Sequence, residues 1–170
     1  MTLREVLARE TALITCTLEQ ADAFLAAESR FDPSFADFFA GCSERGWPLT
    51  ILSSGVAPLI ERALERNGLA GVPVRANDVE ARPDGWIMHF RDESDNGHDK
   101  AADVREAKAR GSQTVYIGDG YSDFDASLAA DIRFAKAGRS LVRFLQEREA
   151  SFTEFTNFKE VAAELFGVSA

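Results

Sequence analysis

At 170 residues the chain is long enough for one domain with a buried core, and its 45% hydrophobic and 28% charged content is that of a soluble globular protein. A formal net charge of −9 argues against nucleic acid, whose phosphates demand Lys and Arg patches, and no apolar run approaches the roughly 20 residues that span a bilayer. The N-terminus lacks a signal-peptide pattern, and Cys16 and Cys42 have no metal or redox spacing, so packed, reduced cysteines and a cytoplasmic location are expected.

Thr2 and Glu5 form a Thr-x-x-Glu capping box ahead of Val6, Leu7 and Ala8, which predicts an opening helix. Thr17 and Gln20 repeat the device for a second helix with Ala21, Phe24 and Leu25 on one face. Asp32 is placed to cap a third, with Pro33 at its first position. Phe35, Phe38, Phe39 and Cys42 follow at i, i+3, i+4 and i+7, an amphipathic stripe that Gly46 ends. The first 46 residues therefore read as all-helical.

The pattern then changes. Residues 49–52 are a short apolar strand, closed by Ser53, Ser54 and Gly55. Val56, Leu59, Ile60, Ala63 and Leu64 line a helix that Asn67 and Gly68 stop. Residues 72–76 read as a strand, and Pro83-Asp84-Gly85 as a turn into an edge hairpin at 86–90. A polar loop at 91–99 leads to a helix from about Ala101 to Gly111. Next come a buried strand at 114–117, a tight Gly118-Asp119-Gly120 turn, a helix near 124–130 and a strand at 132–134. A helix over 140–149 and a capping box at Asn157 and Glu160, before Val161, Leu165 and Phe166, complete the chain. Strands alternating with helices of about ten residues define βαβ units and a doubly wound parallel α/β sheet.

Three candidate sites fall on one edge of such a sheet, at the carboxyl ends of strands where α/β folds bind ligands. Ser53 and Ser54 close a strand before a helix N-terminus, an anion-binding arrangement, although Ser is also an ordinary helix cap. Lys100 stands at a helix start, where a cation opposes the macrodipole. A phosphate or carboxylate partner would justify it, and an exposed lysine is the plain alternative. Asp119 and Asp123 flank a loop that could hold a hard cation such as Mg²⁺, or are solvated acids of a common strand–turn–helix. His98, in a polar loop, could contact substrate, and a solvated histidine is the plainer reading.

Together and in this order, the segment 49–55, Lys100 and the segment 118–123 resemble the second, third and fourth motifs of the haloacid dehalogenase (HAD) superfamily of phosphatases. The branch is similar to the phosphoserine-phosphatase-like group and, within it, to the 2,3-diketo-5-methylthio-1-phosphopentane phosphatase-like proteins. Phe134-Ala135-Lys136 and the Phe-rich 152–158 tail resemble that branch too. The resemblance implies a HAD-like Rossmannoid three-layer fold and Mg²⁺-dependent hydrolysis of a small phosphorylated metabolite through an aspartyl-phosphate. Ser53 and the Ser54 backbone N–H would bind the substrate phosphate. Lys100 would neutralise it, Asp119 would ligate Mg²⁺, and Asp123 would ligate the ion or orient its waters. Ser122 and Tyr121 would tune the loop.

The family's first motif, an apolar strand ending in Asp-x-Asp-x-Thr that carries the nucleophile, has no match upstream of Ser53. Asp123-Phe124-Asp125 is the one Asp-x-Asp pair, but it lies within the fourth motif, and Asp125 reads as a favourable charge in a helix's first turn. By the resemblance, residues 1–31 are the remnant of a helical cap and 32–170 the core, lacking its first central strand. A chain so truncated is expected to be inactive alone, with strand edges open to self-association. The alternatives are a non-catalytic phosphate-binding or interaction module, or half of a split enzyme.

Overall fold

The structure, a computed structural model, describes residues 1–167. Helices α1 (Leu3–Thr11), α2 (Leu18–Glu28) and α3 (Phe35–Glu44) come first. Then strands and helices alternate: β1 (Ile51–Val56), α4 (Ala57–Arg66), β2 (Val74–Glu80), β3 (Ile87–His89), α5 (Lys100–Ala109), β4 (Val115–Gly118), α6 (Phe124–Ala129), β5 (Ile132–Lys136), α7 (Ser140–Glu147), β6 (Thr153–Phe155) and α8 (Phe158–Phe166). A 3-10 turn, Tyr121–Asp123, enters α6. The fold is α/β, as the alternation predicts, and it divides into two compact units. One comprises Met1–Phe31 and Pro48–His98, and the other Asp32–Trp47 and the chain from Asp99 onward.

In the first unit β1 and β2 run parallel, with Ile51 opposite Val74 and Leu52 opposite Arg75. β3 adds antiparallel to β2, with Val79 opposite Met88, which is the expected hairpin. β2 starts later than the 72–76 pattern suggests, because Pro73 has no N–H to give to a ladder. Its carbonyl instead accepts from Ile51 N–H at 2.8 Å. Past residue 76 the strand continues because β3 pairs with it there. β1 does not stop at Leu52 either. It continues through Ser53, Ser54 and Gly55, with its register to β2 shifting between Leu52 and Val56.

Both N-terminal capping boxes form, Thr2 with Glu5 and Thr17 with Gln20. The guanidinium of Arg4 on α1 lies 4.3 Å from the centre of the Phe90 ring and 3.0 Å from Glu93. Helix α2 joins α4 through ion pairs, Arg62 with Glu19 at 3.1 Å and Arg66 with Asp22. None of its residues is buried, and Phe24 on its apolar face is 66% exposed. Trp86 is fully buried and donates its indole N–H to the Cys16 carbonyl at 2.7 Å. Gly85 before it has φ 131, and a Cβ there would stand 2.4 Å from the Ala12 carbonyl oxygen, so only glycine fits.

In the second unit β4, β5 and β6 are parallel, with Ile117 opposite Phe134 and Lys136 opposite Phe155. β6 is absent from the pattern reading: it is three residues long, and of these only Phe155 is buried. Ala135, Leu141, Phe144 and Leu145 make the core between β5 and α7. Phe35 and Phe38 of α3 meet Phe158 and Phe166 of α8, with Phe35 and Phe158 edge-on at 4.9 Å. Asp32 does not cap α3 directly, since Ser34 takes that position. Its carboxylate accepts from Ser34 N–H at 2.9 Å and from Phe158 N–H at 3.0 Å, so one side chain organises the starts of α3 and α8. Among the described residues β1 pairs only with β2, and β4 only with β5.

Candidate active site

The loop after β4 is built around one carboxylate. Asp123, 5% exposed, turns back toward the strand end and accepts four hydrogen bonds. Its Oδ2 takes Asp119 N–H at 2.9 Å and Gly120 N–H at 3.0 Å. Its Oδ1 takes Lys100 Nζ at 2.7 Å and the Tyr116 hydroxyl at 2.8 Å. A Cβ on Gly118 would lie 2.9 Å from this carboxyl group, so glycine at the strand end is what lets the chain fold back on itself. Burial acts to raise the Asp123 carboxyl. The Lys100 charge and the hydrogen bonds from Gly120, Lys100 and Asp119 outweigh it and hold the group below the ordinary carboxylate value.

Lys100 is the first residue of α5, whose N-cap Asp99 accepts from Ala102 N–H at 3.0 Å. The lysine is 6% exposed, so the plain alternative of a solvated side chain does not apply. A buried carboxylate explains its placement against the helix dipole. Its ammonium also donates to Ser122 Oγ at 2.8 Å. Tyr116, on β4, has its hydroxyl pushed far above the usual phenol value by burial and by the Asp123 charge, so it remains a donor. Asp119 differs from Asp123: its side chain is 61% exposed, and Arg139 approaches it only at 4.0 Å. Tyr121 is exposed, and its ring lies 5.2 Å from that of Phe124. Asp125 sits exposed in the first turn of α6, as expected of a favourable charge there.

Ser53 and Ser54 belong to the first unit, while Lys100, Ser122, Asp119 and Asp123 belong to the second. Ser53 Oγ accepts from Gly55 N–H at 3.0 Å. The Ser54 hydroxyl is buried without a hydrogen-bond partner among the described residues. His98 is not the solvated histidine its loop suggested. It is 1% exposed, with Nδ1 3.0 Å from the Ser53 carbonyl. Asn77 and Tyr116 were not singled out in the sequence. Asn, uncommon inside a strand, was the available signal for Asn77, and Tyr116 carried none beyond its place in the apolar run.

As a Mg²⁺ site the donor set is lean. Among the described residues no three His, Cys, Asp or Glu side chains gather into a metal-binding group. Mg²⁺ is commonly held by one or two carboxylates, with water and substrate phosphate completing the octahedron. Asp119 fits as such a ligand. Asp123, with its acceptor positions filled, fits as the group that fixes the Asp119–Gly120 backbone.

A family model for haloacid dehalogenase-like hydrolases matches residues 3–127. Pdp3-interacting factor 1 of Schizosaccharomyces pombe is 30% identical, over 97% of this chain and 76% of its own length. Polyol phosphate phosphatase PYP1 of Saccharomyces cerevisiae is 33% identical, over 83% of this chain and 65% of its own length. 2-Hydroxy-3-keto-5-methylthiopentenyl-1-phosphate phosphatase of Microcystis aeruginosa is 29% identical over 83% and 67% respectively. A phosphoserine phosphatase structure, captured as a phospho-aspartyl intermediate analogue, superposes with TM-score 0.69 at 16% identity, covering 96% of this chain and 78% of that one. The chain belongs to the haloacid dehalogenase-like hydrolase family. By family it is a haloacid dehalogenase-like hydrolase, and its α/β fold is similar to that of phosphoserine phosphatase.

Proposed function

We propose that this chain carries the phosphate- and metal-binding residues of a Mg²⁺-dependent phosphomonoesterase for a small phosphorylated metabolite. The observation that carries the reading is the buried Lys100 ammonium, fixed by Asp123 and Ser122, in the same unit as the exposed Asp119 carboxylate. An ammonium has three donors. Two are used within the protein, which leaves one for a phosphate oxygen. Phosphoryl transfer asks a protein mainly for positioning and charge stabilisation, and a lysine held in one place by a buried carboxylate supplies both. Asp119 would hold Mg²⁺, which when bound neutralises phosphate charge. In the first unit, Ser53 Oγ and the Ser54 N–H take the role of phosphate donors.

The names of the relatives support the substrate class, since a polyol phosphate and a methylthiopentenyl phosphate are both small phosphomonoesters. Among the described residues no strand ends in an Asp-x-Asp pair, and in this reading the nucleophile of an aspartyl-phosphate mechanism comes from outside them. That observation favours a second reading, a module that binds phosphate without turning it over until another strand supplies the aspartate. Edges of β1 and β4 that have no strand partner among the described residues support such an addition, or self-association.

Titrating the chain with inorganic phosphate and Mg²⁺ by calorimetry, alongside assays on polyol phosphates and phosphoserine, tests both readings. Mg²⁺-dependent phosphate binding is expected, abolished by Lys100→Met and weakened by Asp119→Asn, with no turnover above background. Robust hydrolysis that vanishes in Asp119→Asn would overturn the inactive half of the reading. Absence of phosphate binding in the parent chain would overturn the whole of it.

A further inference from the structure

The ladder between β1 and β2 loses its regular register between Leu52 and Val56, across the very residues read as phosphate donors. A lapse in a ladder leaves backbone carbonyls without strand partners, and buried carbonyls of that kind must be satisfied elsewhere. Two side chains take them. Asn77, 0% exposed on β2, donates Nδ2–H to the Ser54 carbonyl at 2.8 Å. His98 places Nδ1 3.0 Å from the Ser53 carbonyl. A carbonyl can only accept, so this nitrogen carries the proton.

The arrangement is closed at its other end. Asn77 Oδ1 accepts from Arg91 N–H at 2.9 Å, which ties β2 to the start of the loop that ends in His98. Gly97, at φ 70, completes that loop, and a Cβ there would meet the Phe90 ring at 2.7 Å. Buried amide and imidazole groups are costly unless bonded, and an apolar residue would fill either place more cheaply. What the polar pair adds is a single geometry for consecutive peptide groups.

We infer that His98 and Asn77 are positioning residues for phosphate recognition. They fix the Ser53 and Ser54 carbonyls, and thereby the direction in which the Ser53 hydroxyl and the Ser54 N–H point. The inference rests on the reading of Ser53 and Ser54 as phosphate donors.

The test uses the whole chain, inorganic phosphate with Mg²⁺ as probe, ¹⁵N-resolved NMR titration, amide exchange and a thermal melt. His98→Leu should bind phosphate about tenfold more weakly, the worth of one buried hydrogen bond, with the largest shift changes at 53–55. His98→Asn, whose amide can reach the place of Nδ1, should recover affinity to within about threefold of the parent. If His98→Leu does not fold, Asn77→Asp decides: it keeps the acceptor for Arg91 N–H and loses the donor to Ser54, and it should show the same weakening. Parent-like affinity in the folded variant overturns the inference. So does a loss that follows the melting temperature and is not rescued in His98→Asn. If the parent itself binds no phosphate, the phosphatase reading fails. The clamp is then judged by exchange at the Ser54 and Gly55 amides: selective acceleration in His98→Leu upholds it as a backbone clamp, and unchanged exchange overturns it.

Discussion

The Ser53–Gly55 strand end and the Asp119–Asp123 loop hold backbone in place by opposite means. The first is held without any carboxylate, by an amide and an imidazole bonded to consecutive carbonyls. The second is held by charge, one carboxylate accepting from an ammonium, a phenol and two backbone N–H groups. The difference suits the roles proposed for each. A strand end proposed to offer donors to an anion is best fixed without adding negative charge. The buried Asp123 carboxylate instead holds the Lys100 ammonium of α5 in one place while the neighbouring Asp119 carboxylate stays exposed.

The comparison is broken most severely at Lys100. Lys100→Met leaves Asp123 charged and buried without its ammonium, and such a loss costs about 3–5 kcal/mol. Urea unfolding should show a drop of that order, and a change under about 1 kcal/mol would mean the pair is not buried as described. Asn77→Leu is the neutral counterpart. It strands the Ser54 carbonyl and the Arg91 N–H, and should cost about 2 kcal/mol in the same assay. The smallest effect is also the most selective, an acid scan. Asp123 and Asp131 are both held below their ordinary values, Asp131 at about 2 through hydrogen bonds from Lys108 and from the backbone and hydroxyl of Thr114. Groups depressed on folding stabilise the protein above their unfolded pKa, about 3.9, and lose that contribution as pH falls through the folded value. Amide exchange between pH 5 and pH 2 should therefore loosen the Asp119–Asp123 loop and the Thr114–Asp131 contact while the Ser53–Gly55 segment holds. Simultaneous loosening of both would erase the distinction.

Local chemistry made much of this molecule legible. The capping boxes at Thr2 and Thr17, the Phe35–Cys42 stripe and the Gly118-Asp119-Gly120 turn each depend on residues within a few positions of one another, and each forms. The segments that carry Ser53, Lys100 and Asp119 could be matched to the family because each motif is short and local in sequence. The supports of that trio were not legible. Asn77 meets Ser54 across 23 positions, and His98 meets Ser53 across 45, contacts that no periodicity encodes. His98 illustrates the limit best: its neighbours in sequence are polar, and only the tertiary fold buries it. The ends of β1 and β2 were misplaced for a related reason, since pairing with a neighbouring strand, not composition, decides where a strand stops. Helix α2 errs in the other direction. Its apolar face was legible, yet the helix is anchored by Arg62 and Arg66, and Phe24 stays open.

The two tryptophans of the chain are divided between its two compact units. Trp86 is sealed inside the first, its indole N–H bound to a carbonyl. Trp47, 44% exposed with its ring 5.8 Å from that of Phe166, belongs to the second. The protein thus carries a separate intrinsic fluorophore for each half, one in a dry environment and one partly in water. Replacing Trp47 with Phe leaves an emission signal that speaks for the first unit alone. Whether the halves melt together or in sequence then becomes an optical question that needs no added label.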